Sequence, residues 1–166
     1  MAERVRERSE ALLEDAGLAY LFIRPSDGWP AGEDNDKSED LTLKASDPHA
    51  SDQFGSAVAV HKNAIVIGAK SAPGANSNSD GKVYVFEKSA TWYTTETVRL
   101  TASDGAAGDE FGLSVGVSDD TIVVGARNRE DTAPPPDAAS DESPVDQGAV
   151  YVYVKAGLDW NSGGQE

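Results

Sequence analysis

Carboxylates dominate the reactive side chains of this chain: Asp and Glu number 29 among 166 residues, against 14 Lys and Arg, for a net charge of −15. Two of them recur in one context. Asp52-Gln53-Phe54-Gly55 returns as Asp109-Glu110-Phe111-Gly112, an offset of 57 residues from Phe54 to Phe111. Two carboxyl groups held side by side can divide acid and base roles in a hydrolysis. Asp52 and Asp109 fall in different copies of a repeat, however, and an Asp oxygen before such a turn also serves to accept a neighbouring backbone N–H. Asp34-Asn35-Asp36-Lys37-Ser38-Glu39-Asp40 imitates the first half of a calcium loop. Lys37 interrupts it, Glu39 stands where the EF-hand glycine belongs, and Ala45 where its bidentate Glu belongs, so a solvated hairpin loop is expected. There is no cysteine nucleophile, and His49 and His61 sit in separate connections without a serine partner, so no enzyme is expected. His61 reads as an exposed turn residue.

Composition narrows the partners. A nucleic-acid partner is excluded by the negative charge, because phosphate binding needs a basic surface. No apolar run approaches the length of a transmembrane helix. Met1–Arg8 is charged and leads into no apolar h-region, so no signal peptide is read. The acidity itself fits a solvated surface, with cation binding as the other use.

These residues must be positioned by short strands. Leu43–Asp47 returns as Leu100–Asp104, and Ile65-Val66-Ile67-Gly68-Ala69 as Ile122-Val123-Val124-Gly125-Ala126, all at the same offset. A fixed period of this size marks stacked units, each too small to bury its apolar face alone. Alternation and turn residues predict nine strands, over 18–23, 40–45, 55–60, 64–68, 82–87, 97–101, 112–117, 121–125 and 149–154. Trp29, Trp92 and Trp160 follow Tyr20, Tyr84 and Tyr151 at nearly constant spacing and support the register. Gly55, Ala57 and Ala59 share one face of their strand; Phe54, Val58 and Val60 share the other. A small face against a bulky one suits close stacking of sheets buried on both sides. Strand 97–101 alternates polar and apolar, as a peripheral strand should. Four such strands, dry inside and polar outside, make the blade of a β-propeller. The fold class is therefore all-β, a partial propeller of roughly two to two-and-a-half four-stranded antiparallel blades. A charged segment, helical or disordered, is assigned to residues 1–17, the blades to 18–160 and a disordered tail to 161–166. Within the blades, 18–46 ends one unit, 54–102 forms a complete one, and 111–154 forms most of another.

The ordered set Phe54-Gly55, Gly68-Ala69 and Gly81–Phe86, repeated in Phe111-Gly112, Gly125-Ala126 and Gly148–Tyr153, resembles the FG-GAP repeat. That repeat builds the propeller of integrin α-subunits and of many bacterial surface and secreted proteins. The resemblance implies a structural role for these glycines, a location outside the cell or at its surface, and binding or adhesion. It also brings to mind the family's Asp-rich calcium loop between the first two strands of a blade. Here those connections are His61-Lys62-Asn63 and Ser118-Asp119-Asp120, too short for such a cage, so no cofactor is expected and calcium is not carried over. Gly68 and Gly125 are read as closing a buried strand where the chain turns away.

Binding is expected at the end where the connections 47–53, 69–81, 104–110 and 126–148 gather, because loops on a rigid scaffold carry recognition. Its candidate residues are Asp52, Asp109, Asp131, Asp137, Asp141 and Asp146. Residues 129–144 form a long Pro-rich stretch suited to an extended recognition element, or to a tolerated surface insertion. The expected partner is a protein or glycan, or further blades of the same or another chain. An accessory portion of a secreted enzyme and a self-assembling lectin stand as alternatives. An incomplete ring leaves sheet faces open, which a longer protein, a homo-oligomer or a short shielded stack would each accommodate.

Overall fold

The computed structural model describes residues 14–26, 28, 38–75, 79–88, 91, 94–130, 147–157 and 159–160. They form ten strands: β1 (Ala19–Leu21), β2 (Leu41–Leu43), β3 (Phe54–His61), β4 (Ala64–Ala69), β5 (Lys82–Glu87), β6 (Val98–Leu100), β7 (Phe111–Ser118), β8 (Thr121–Ala126), β9 (Ala149–Ala156) and β10 (Asp159–Trp160). Three antiparallel sheets result: β1-β2, β3-β4-β5-β6 and β7-β8-β9-β10. All nine expected strands are present. The tenth, β10, completes a blade that the sequence left at three strands. Of the charged segment, only residues 14–17 are described. They run beside the entry to β3, where Glu14, Asp15 and Ala16 carbonyls accept the N–H groups of Ser51, Gln53 and Phe54. Trp29 and Trp92 lie outside the described residues; Trp160 is buried.

The repeated Phe-Gly pair has a defined local geometry. Phe54 pairs with Ala69, but the next pair is Ala57 with Gly68, so β3 bulges at Gly55 and Ser56. β7 bulges identically between Phe111 and Ser114. Gly55 at φ 92° and Gly112 at φ 88° adopt a backbone that L side chains avoid, which explains the glycine. The bulge drops each Phe ring into the seam between sheets. Phe54 meets Tyr84 edge-on at 5.3 Å, and Phe111 meets Tyr151 at 5.2 Å.

Two apolar seams hold the stack together. In the first, Ala19, Leu21, Leu43 and Ala45 face Phe54, Ile65, Ile67, Tyr84 and Phe86. In the second, Ala59, Val66, Val83, Val85 and Leu100 face Phe111, Ile122, Val124, Tyr151 and Tyr153. The small-against-bulky stacking expected from the sequence is therefore present. Gly68 and Gly125 need a correction. Gly68 continues into Ala69 within β4, and a Cβ there would collide with the Gly112 carbonyl across the seam. A Cβ on Gly125 would meet the Ser114 hydroxyl on the adjacent strand. Both glycines serve close approach, not chain reversal. Burial on both sides also holds only in part: β4 is dry throughout, whereas Val58, Val60 and Val123 are exposed.

Candidate functional site

The loop end is built from two repeated carboxylate roles. Asp52 accepts the His49 N–H at 2.7 Å, and Asp109 accepts the Ala106 N–H at 2.8 Å. Each carboxylate closes a tight turn just before its Phe-Gly bulge, and each residue is only 2% exposed. These two candidates thus point inward and shape the connection, as the turn reading of Asp-x-Phe-Gly anticipated. Asp131, Asp137, Asp141 and Asp146 lie outside the described residues.

The second role was not read from the sequence. Asp47, which leaves the first sheet, accepts from Lys82 Nζ at 2.8 Å, Tyr84 Oη at 2.9 Å and an Arg99 guanidinium nitrogen at 2.9 Å in the second. One repeat later, Asp104 accepts from Arg129 at 2.7 Å and from Tyr151 Oη at 2.8 Å. The signal was available: both Asp residues recur at the common offset, and the Tyr recurs in the Val-Tyr-Val strand. Burial alone raises the Asp47 carboxyl, but the Lys82 and Tyr84 hydrogen bonds and the Lys82 and Arg99 charges outweigh it, leaving the group below its ordinary value. Asp104 is lowered in the same way, burial being overcome by Arg129 and Tyr151. Burial, then the bond to Asp104, pushes the Tyr151 phenol up to about 12. Each Asp fastens one blade to the next.

Around Asp104 the surface opens into a polar cleft of about 360 Å³, lined by Asp104, Arg129, Glu130, Gln147, Gly148 and Tyr151 among others. Glu130 and Gln147 in its lining are the described residues that precede and follow 131–146 in sequence. The cleft sets carboxylates, an amide, a guanidinium and a phenol ring edge within one concavity, a donor and acceptor set suited to hydroxyl-rich or peptide ligands. At the other end of the blades, His61 and Lys62 contact Asp119 of the next sheet, and Lys155 pairs with Glu87 and lies over the Trp160 ring. His61 is thus the last residue of β3, paired with Ala64 and partly exposed in an interblade contact, not the exposed turn residue expected. Among the described residues, no group of three or more His, Cys, Asp or Glu is placed to hold a metal ion.

Radially stacked four-stranded antiparallel sheets, joined by repeated glycine bulges and Asp-Tyr ties, define a partial β-propeller. The family model of the FG-GAP repeat matches residues 38–86 and 94–153, and the chain belongs to that family. FG-GAP is a non-catalytic propeller repeat, found in adhesion and binding modules and typical of extracellular or surface proteins. A comparison with curated proteins found no match. Among the described residues, no helix is long and apolar enough to cross a membrane.

Proposed function

We propose that the chain is a non-enzymatic binding or adhesion module, acting at the cell surface or outside the cell, which takes a protein or glycan at the loop end of its blades. The observation that carries this reading is the polar cleft of Asp104, Arg129, Glu130, Gln147 and Tyr151. Interblade bonds join Asp104 to Arg129 and Tyr151 in its wall, and side chains already held need less ordering on binding. The reading calls for no cofactor. It is tested on a glycan array and on immobilised surface proteins, comparing the native chain with Glu130→Ala/Gln147→Ala and with a variant lacking residues 131–146. Loss of specific signal in the variants supports the loop end; signals unchanged in both rule it out.

A second reading rests on a different surface. Val123 and Val150 on the outer face of the last sheet are 39% and 62% exposed, whereas their counterparts one repeat earlier, Val66 and Val83, are fully buried against the next blade. A further blade, from the same or another chain, is the partner that this face fits.

A further inference from the structure

Three aspartates are buried at the loop end: Asp52, Asp80 and Asp109 are 2%, 1% and 2% exposed. Two of them face a basic side chain. Asp52 lies 3.7 Å from the His49 ring, and Asp109 lies 3.7 Å from Arg129. Asp80 has no such neighbour among the described residues; its Oδ1 accepts the Gly74 N–H at 2.6 Å, and its Oδ2 is buried without a hydrogen-bond donor. Two further carboxylates have a buried oxygen of this kind, but each stands beside a cation. Glu96 is beside Arg99, and Glu110 beside Lys70 and Arg127.

The backbone around Asp80 is shaped to admit a carboxylate. A Cβ on Gly74 would lie 2.5 Å from Oδ1, and a Cβ on Gly105 would lie 2.6 Å from Oδ2, so main chain comes close on two sides. Gly74 belongs to the connection from β4 to β5, and Gly105 to the connection that enters β7. The Asp80 carbonyl accepts the Phe111 N–H at 2.9 Å, which puts the residue in the second seam. The repeat itself calls for no acid here. Gly17 and Gly148, the counterparts of Gly81, follow Ala16 and Gln147.

We infer that Asp80 Oδ2 binds an alkali-metal cation, sodium or potassium, between the second and third blades. A carboxylate taken out of water without a counter-charge is strongly disfavoured. One carboxylate balances one positive charge, and main-chain carbonyls and water are the neutral oxygens that complete the shell of such an ion. A divalent ion would draw on several carboxylates. Among the described residues, no cluster of three or more acidic, His or Cys side chains is placed to supply them. The net charge of −15 concentrates cations around the chain, which favours occupancy. The ion fastens the β4–β5 connection to the loop that carries Asp104 and Gly105, so the order of the loop end depends on which cation is present.

Other ways of neutralising or screening this group behave differently. A proton on Oδ2 leaves the fold indifferent to the identity of the salt's cation, and so does a hydrogen bond from elsewhere in the chain. Screening of the surface acids responds to ionic strength, whatever the cation. The inference is independent of both readings under Proposed function, since it needs neither a ligand in the polar cleft nor a further blade.

The test is urea unfolding of the full chain at fixed ionic strength, with sodium or potassium chloride replaced stepwise by choline chloride. Choline screens charge as the alkali ions do but is too bulky for a buried site. The native chain should resist urea better in sodium or potassium, with a gain that saturates as mass action requires. Hydrogen exchange of the amides over 104–111 should slow about tenfold at saturation. Asp80→Asn keeps an acceptor for the Gly74 N–H and should abolish both effects. Gly105→Ala, whose Cβ would lie 2.6 Å from Oδ2, should abolish them as well. Circular dichroism checks that the variants fold; if neither does, the choline series on the native chain still decides. Equal stability of the native chain in the three salts overturns the inference. So does a gain that rises without saturating, or one that persists undiminished in either variant.

Discussion

Asp104 has two jobs that can be separated by titration. It ties the second blade to the third through Arg129 and Tyr151, and it borders the polar cleft. Its carboxyl is held below the ordinary value in the folded chain, as is that of Asp47. A carboxylate whose folded pKa lies below its unfolded value of about 3.9 stabilises the fold fully above that pH, and the contribution disappears as pH falls through the folded value. Urea denaturation should therefore give a flat stability between neutrality and about pH 5, then a decline below about pH 4. Asp104→Asn should flatten part of that decline and lower neutral stability by about 1 kcal/mol, a modest figure because the side chain is partly solvated. The glycines separate in the same experiment. Gly68→Ala forces a Cβ into the Gly112 carbonyl and should cost about 1–3 kcal/mol. Gly116→Ala meets nothing within 4 Å and should be neutral or stabilising by up to about 1 kcal/mol. Equal losses for both would mean that seam contact is not what selects glycine at position 68.

At the level of elements, β1 and β5 are the same strand of successive blades in different company. Among the described residues, β5 is bonded along both edges and β1 along one. The Tyr20 amide should therefore exchange with solvent far faster than the Tyr84 amide, a difference readable by hydrogen-exchange mass spectrometry or NMR. Similar protection at the two tyrosines would show that the free edge of β1 is covered. Most elements were legible from residues, because alternation and the constant offset report strand faces directly: Phe54, Val58 and Val60 do share a face, paired with Ala69, Ile67 and Ile65. β10 was not legible, since its two residues, Asp159 and Trp160, carry no period. The bulge was hidden as well, because alternation fixes the side of a strand but not where two residues loop out. The turn-closing role of Asp52 and Asp109 was legible, but their burial is a tertiary outcome: an Asp in a polar stretch reads as solvated until its turn wraps round the carboxylate. The Asp47–Tyr84 and Asp104–Tyr151 ties needed two repeats to be superposed, not merely found.

Across the whole molecule, a charge of −15 and an unpartnered apolar face oppose each other. Val150 and Val154 stand 62% and 54% exposed on the outer side of the last sheet. Their counterparts in β5 are Val83, buried in the second seam, and Glu87, which pairs with Lys155 near its end. The apolar face favours association, at roughly 25 cal/mol per Å² of apolar surface covered. Repulsion between like-charged copies opposes it over a screening length of about 10 Å at 0.1 M salt and about 3 Å at 1 M. If the face drives self-association, light scattering should show the mean mass rising as salt is raised from 0.05 M to 1 M, because screening removes the repulsion while burial persists. Val150→Asp/Val154→Asp should hold the chain at its monomer mass throughout that range, with circular dichroism unchanged because both positions are already open to water. A mass that falls with salt would assign association to ion pairs instead, such as those Asp119 and Glu87 already make between blades, and would take this face out of the mechanism.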